Sequence, residues 1–196
     1  MGQVQVRVQA ISEIQGEPRT LQDADVTVTG GKVPRVHYLG IPAAPTTTGI
    51  GASIASNAAS NVITVSASPV VPRNLAVAFA ASWDGGDIVA VGTNQFDEVI
   101  TETIAGVGAG GTTVVGNQAF KTVTSLAKTA VGATTNAATV GMGSKLGIPA
   151  RFTGAYGIHF VTGVGAAATF DPLYCTVLAT ALVPDASRAF TVIVNC

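Results

Sequence analysis

Charge is what this sequence has least of. Asp, Glu, Lys and Arg make up 11% of its 196 residues, against about 25% in an ordinary soluble domain. Disorder does not account for the shortfall, because disordered chains are rich in charge and poor in Val, Ile and Phe, whereas this one is 47% hydrophobic. The polar surface must then be carried by Thr, Ser, Asn and Gly, with some of it facing another subunit rather than water. Cysteine is nearly absent. Cys175 and Cys196 are the only two, which excludes a disulfide scaffold, and neither has metal-ligand spacing. Cys175 lies in a strand-like run and is expected to be a buried free thiol; a bridge to the last residue has no support. The ten basic residues are scattered and the formal net charge is −1, so no nucleic-acid groove is expected. Residues 1–30 show no secretory signal. Every apolar stretch is broken by Ser, Gly or Pro before it could cross a membrane as a helix. The chain is expected to be soluble, made in a cytoplasm, and free of membrane contact.

What is present is alternation. Residues 87–125, DIVAVGTNQFDEVITETIAGVGAGGTTVVGNQAFKTVTS, organise the chain. Ile88 to Val91 form a compact apolar run, halted by Gly92-Thr93-Asn94. Val99, Thr101 and Thr103 then alternate with Ile100, Glu102 and Ile104, the two-residue period of a half-buried strand. Four glycines within residues 106–111 suit no regular element, and strands resume at 112–115 and 120–124. The pattern predicts an antiparallel meander. Upstream, residues 2–9 place Val4, Val6 and Val8 opposite Gln3, Gln5, Arg7 and Gln9. Residues 12–25 read as an acidic polar loop, followed by a brief strand at 26–29 and Gly30-Gly31. Residues 33–60, with Pro34, Pro42 and Pro45, read either as a loosely ordered linker or as an arm that orders on a neighbour. This divides the chain into an N-terminal strand and arm, 1–60, and a main β domain, 61–196.

Within the main domain, residues 61–67 alternate, and in residues 73–82 large Leu75, Val77 and Phe79 oppose Ala76, Ala78 and Ala80. A helix is the competing reading of that stretch, but the alternation and its neighbours favour a strand. Trp83 followed by Asp84-Gly85-Gly86-Asp87 reads as a hairpin turn. Residues 126–136 are weakly patterned. Gly141, Gly143 and Gly147 space short elements in GMGSKLGIPARF. Residues 157–161 form a strand, a Gly/Ala-rich turn follows, and residues 173–183 and 190–194 close the sheet. About ten strands are expected, in an all-β antiparallel sandwich or jelly-roll-like domain.

No catalytic, cofactor or metal site emerges. Asp84, Asp87, Asp97 and Glu98 concentrate acid in the main domain, but their spacing matches no calcium loop, and turn capping is the plainer role. Asp97 and Glu102 could pair for glycoside hydrolysis only as any two surface carboxylates could. His37 and His159 lack ligand or triad partners at suitable spacing, Gly141-Met142-Gly143-Ser144 is not a nucleophile elbow, and residues 106–111 lack the lysine of a phosphate loop. Trp83, Phe79, Phe96, Phe120 and Phe152 read as core or interface anchors. Trp83 and Tyr156 are the aromatics a glycan-binding face would need. No cofactor is expected, and the chain is not expected to be an enzyme.

The stretches VVPRNLAV, IVAVGTNQFDEVITETI, TTVVGNQAFKTVTSLA and GMGSKLGIP, all within residues 70–152, resemble a group of structural proteins of tailed bacteriophages. Asp97 stands where those proteins often carry glycine after the aromatic of the turn. The similarity covers a little under half the chain and leaves out residues 1–60 and 160–196. It implies a particle component: most simply a capsid cement or decoration protein bound to the major capsid protein through the β domain and the 33–60 arm, self-associated, with trimers among the states implied. It would be located in the virion and assembled in the host cytoplasm. A low-copy neck, tail or baseplate component shares the same resemblance, and a receptor- or carbohydrate-binding module is the more distant alternative.

Overall fold

A computed structural model describes residues 4–7, 25–28, 34–108, 111–152, 157–161, 164–166, 168–179 and 183–195. The architecture is all-β and antiparallel, with sixteen strands and no helix among the described residues. Its axis is β11 (Ala137–Gly147), eleven residues long. One edge of β11 lies along β6 (Arg73–Phe79). The other is shared: β4 (Gly51–Ala55) takes its first half and β15 (Thr176–Ala179) its last three residues. β9 (Thr112–Val115) extends this sheet beyond β6, and β14 (Ala168–Asp171) extends it beyond β15.

A second sheet runs in the order β5 (Val62–Ile63), β10 (Thr122–Lys128), β7 (Ile88–Thr93), β8 (Val99–Ile104). It faces the first half of β11 and its neighbours across a core that includes Leu75, Val77, Phe79, Ile88, Ile104, Phe120, Leu126 and Val140. A third sheet, β13 (Val164–Ala166), β12 (Gly157–Val161), β16 (Phe190–Asn195), β3 (Pro34–Gly40), contributes to a second core. There Phe190, Val192, Val194 and Leu39 meet Leu146, Ile148, Phe152 and Val177. β11 thus supplies Val140 to one core and Leu146 to the other, and its register against β6 slips between Met142 and Leu146, where it passes from one to the next. β1 (Val4–Arg7) and β2 (Asp25–Val28) pair as a separate ribbon, with Val4 opposite Val28 and Val6 opposite Val26.

Several sequence expectations change. The three glycines of 141–147 do not break the chain into short elements; they let one long strand pass crowded ground. A Cβ on Gly141 would stand 2.2 Å from the Thr46 carbonyl oxygen, and one on Gly143 would stand 2.3 Å from Asn74 Oδ1. Residues 34–55 are not a loose linker or detached arm, because β3 pairs with β16 and β4 with β11. Pro34 is tolerated at the first position of a strand that ends its sheet. The 87–125 stretch is no simple meander: β9 crosses to the other sheet before β10 returns to β7. Residues 84–87 likewise connect two sheets instead of forming a hairpin. Trp83 sets that corner, 3% exposed, with its indole N–H donating to the Gly86 carbonyl at 2.7 Å. The Gly/Ala-rich turn after β12 contains β13 and β14. The strand reading of 73–82 holds for β6, and the strands expected at 99–104, 112–115 and 190–194 are β8, β9 and β16, whereas β7 runs on through Gly92 and Thr93, where a stop was expected.

Two cations are buried without a carboxylate partner in their bonding. Arg73, 1% exposed, donates from Nε to the Gly143 carbonyl at 2.8 Å and from Nη1 to the Ala43 carbonyl at 2.7 Å, with Nη2 also on Gly143. Burial draws its pKa down to about 10, which leaves it cationic at neutral pH. Lys128, 2% exposed, donates to the carbonyls of Ser56, Ala58 and Ala130 at 2.8–2.9 Å. Each gathers carbonyl oxygens from separate segments of the chain. Replacing Arg73 by Met should lower unfolding free energy by at least about 1.5–3 kcal/mol, the worth of a hydrogen bond to a charged group. Exposed Arg35→Met should stay within about 0.5 kcal/mol of the parent chain. Urea denaturation of both variants measures the difference.

Candidate functional site

The face of β8 that turns inward carries Ile100, Glu102 and Ile104, so alternation delivers a carboxylate into the seam between the two sheets. Glu102 is 8% exposed. Its Oε1 accepts the backbone N–H groups of Asn117 at 2.5 Å and Gln118 at 3.2 Å, just past β9. The Gln118 amide donates in return to the Thr101 carbonyl at 2.9 Å. Glu102 Oε2 is buried with no hydrogen-bond partner. Gly116 makes room, since a Cβ there would meet the Glu102 carboxylate at 2.4 Å. Burial raises the Glu102 pKa; the two backbone amides and the nearby Lys145 ammonium pull it back.

Beside this carboxylate, β6 contributes Asn74, itself 1% exposed. Its Nδ2 donates to the Gly116 carbonyl at 2.7 Å, and its Oδ1 accepts the Lys145 backbone N–H at 2.9 Å. One side chain thereby fixes the segment after β9 on one side and β11 on the other. The Lys145 ammonium then reaches the Asn117 side-chain carbonyl, with Nζ 2.6 Å from Oδ1. Nothing in the spacing of residues 74, 102, 117 and 145 announced this group. Its one legible signal was the polar pair Arg73-Asn74 heading an otherwise apolar strand.

A shallow cleft of about 100 Å³ opens nearby, lined by Phe96, Glu98, Gln118, Arg151, Leu173 and Tyr174 among others. The GTNQF turn builds one wall. Asn94 Oδ1 accepts the N–H groups of Phe96 and Glu98 at 2.9 and 3.1 Å, an Asx-type closure. Asp97 sits at φ +62°, the left-handed conformation that favours glycine. Arg151 pairs with Glu98 and stacks its guanidinium 4.8 Å from the Phe96 ring centre. Gln95 donates to the carbonyls of Tyr174 and Cys175, both at 3.2 Å, joining the turn to the second core. The separate stretches GTNQF, GNQAF and KLGIPAR meet here.

The acids weighed from sequence scatter to protein partners. Asp84 accepts from Ser56 Oγ, from the Ala133 N–H at 2.7 Å and from Thr134 Oγ1 at 2.9 Å. These bonds, the Ser56 hydroxyl foremost, hold its pKa down to about 2. Asp87 accepts the Gly106 N–H at 2.9 Å. Asp97 pairs with Lys121 at 2.7 Å, on the surface, while Glu102 lies in the seam, so the two face different partners. His37 is half-buried on β3, its pKa lowered by burial and by Arg35, with Nε2 buried and unpartnered. His159 stands opposite Val192 and Ala166 on β12; its side chain, Tyr156 and Cys196 lie outside the described residues. Trp83 is buried and is not a surface platform. Cys175 is a buried free thiol, raised in pKa by burial; it occupies the turn before β15, at φ +49°, rather than a strand.

Comparison with protein-family models, curated proteins and solved structures finds no match for this chain.

Two pH effects of opposite sign follow. A carboxyl whose folded pKa is raised stabilises the fold below its ordinary value, near 4.5 for Glu102, and loses that contribution as pH rises through the folded value. Glu102→Gln should therefore match or exceed the parent's stability at pH 7 and remove this part of the pH dependence. Glu102→Ala, which strips the acceptor from two amides, should cost roughly 1–3 kcal/mol. Asp84 works the other way: its contribution is complete above 3.8 and is lost as pH falls toward about 2. Asp84→Asn should flatten the acid limb. Thermal melts from pH 2 to 8 resolve both.

Proposed function

We propose that this chain is a non-enzymatic structural protein of a tailed-phage particle, acting as a capsid cement or decoration protein that binds the major capsid protein and associates with itself. The observation that carries the reading is where the resembling stretches fall. GTNQF, GNQAF and KLGIP, within the stretches that resemble phage structural proteins, lie where the two cores meet and there set turns and join sheets. Residues occupied in holding a shape suit a particle component. The charged side chains support the same view: buried Arg73 and Lys128 and exposed Asp84 are occupied in tying backbone and hydroxyl groups.

The surface offered to the capsid protein is β3 and the segment after it. β3 ends its sheet, and Val36, Tyr38 and Ile41 are exposed along it. A terminal strand with exposed apolar side chains can accept another strand by main-chain pairing. Since β3 and β4 belong to the sheets, capsid contact is assigned to this edge instead of to a loose arm. The chain is placed in the virion, without nucleic-acid or membrane contact of its own.

Quantitative mass spectrometry of purified particles should find this chain in numbers comparable to the major capsid protein. A dozen copies or fewer would move it to the neck, tail or baseplate and sink the cement reading. Tyr38→Glu with Val36→Lys should abolish co-sedimentation with particles lacking the protein while leaving the fold's circular dichroism intact; undiminished binding would remove β3 as the contact.

A further inference from the structure

The outer face of the second sheet carries no charge. Its strands turn Leu126, Ala90 and Ile104 into the first core, so alternation sends the residues between them to the opposite side. There the register sets Val62, Ala127, Val89 and Thr103 in one row across β5, β10, β7 and β8. At the far end of the sheet, Thr122, Thr93 and Val99 make another. Neither row, nor the one through Val91 between them, holds an Asp, Glu, Lys, Arg or His. An antiparallel sheet with one wet face ordinarily alternates apolar residues inward and polar ones outward. Here valine stands outward as well. The outward residues of β8 are all exposed, and Val62 and Val99, at diagonally opposite corners of the face, are 69% and 77% exposed.

We propose that two copies of this chain pack against each other through this face, sheet on sheet, as a symmetric dimer. The face can leave water at small cost. The Thr93 and Thr122 hydroxyls hydrogen-bond each other at 2.7 Å, and Thr124 Oγ1 donates to the Val91 carbonyl at 3.1 Å, so burial does not strand these groups. The edges of the same sheet are poorer contacts. On β8 the Gln118 amide already bonds the Thr101 carbonyl, and β5 is two residues long, a short edge that offers little to a pairing strand. The occupant follows from charge. An uncharged surface selects no partner by sign, and an ordinary protein surface would bring charges with nothing here to pair them. A second copy brings none, and homodimer interfaces are the more apolar kind. A two-fold axis between the faces, across their long diagonal, sets Val62 of each copy against Val99 of the other and covers both corners at once. Strand spacing and rise make the face about 19 Å by 20 Å, small beside the roughly 800 Å² per partner of a standard interface, so the dimer should come apart on dilution. This names the surface of the self-association proposed above, on which it rests, and leaves the capsid contact at β3 a separate matter.

Sedimentation velocity of the purified full chain, from micromolar to submillimolar concentration, is the test. The parent should pass from monomer to dimer across that range, and about 0.5 M salt should not weaken the dimer, because no ion pair is there to be screened. Thr101→Lys and Val62→Lys, both at exposed positions, should keep the parent's circular dichroism spectrum. Each should raise the half-dissociation concentration at least about tenfold, since symmetry buries the added charge twice. Thr101→Ser, which keeps the face neutral, should dimerise as the parent does. So should Tyr38→Glu with Val36→Lys, which separates loss of this dimer from loss of the capsid contact. A parent that stays monomeric throughout overturns the proposal. A trimer does too, because one patch packed on its own copy closes at two. Dimers undiminished in both lysine variants, lost in the β3 variant, or dispersed by salt place the contact elsewhere and likewise overturn it.

Discussion

Everything in this fold depends on one strand serving two interiors. β11 gives Val140 to the first core and Leu146 to the second, so neither sandwich can shift without pulling on the other. For a single strand to do this, other segments must cross it closely at the point of transfer, and a side chain there would collide with them. Gly141 faces the backbone of Thr46 and Thr48 at 2.2–2.4 Å from a notional Cβ, and Gly143 faces Asn74. The entropic cost of glycine within a strand, roughly 0.5–1 kcal/mol each, is accepted because the crossing admits nothing larger.

The low charge content takes on a different meaning once the buried ions are placed. Ten basic residues include two, Arg73 and Lys128, that lie inside and bind backbone carbonyls. Segments around residues 43 and 56–58 leave the ladders, and a carbonyl there that lost its donor and stayed out of water would cost free energy comparable to a lost hydrogen bond. A long side chain with several donors satisfies two or three such carbonyls at once. Asp84 does the converse with the donors of Ser56, Ala133 and Thr134. Irregular connections are thus held inside by side chains that a surface-minded reading would have sent to solvent.

Local patterning was legible: the apolar run Ile88 to Val91 and the alternation of Val99 to Ile104 announce their strands, as does the apolar stretch from Phe190, and the apolar face of β6 is apparent in Leu75, Val77 and Phe79. Pairing was not. Alternation specifies which face is dry but carries no partner, so β9 reads as the next strand of a meander when it belongs to the other sheet. Glycine misled at 141–147, where it marks crowding instead of breaks, and proline at 34, where it opens a strand. The seam was hidden for a related reason. Glu102 looks like a solvent-side residue in VITET, and only the burial of its neighbours Ile100 and Ile104 shows which side is inside. Asn117 and Lys145 meet because β6 lies between their segments, a fact of sheet order that no spacing encodes.

The two long sides of the first sandwich are closed by different materials. Along one, main chain meets main chain: the Ala52 N–H donates to the Thr64 carbonyl at 2.9 Å and the Ser66 N–H to the Ile50 carbonyl at 2.8 Å. Along the other, a side-chain carboxylate reaches the amides after β9. The first is a spine, written in backbone and indifferent to residue type; the second is a clasp, written in a few replaceable atoms. A sandwich that lost the clasp atoms would keep the main-chain pairs of its spine at residues 50–66. Its resistance to being opened can therefore be tuned over evolution by exchanging side chains at the clasp, with every strand left where it is.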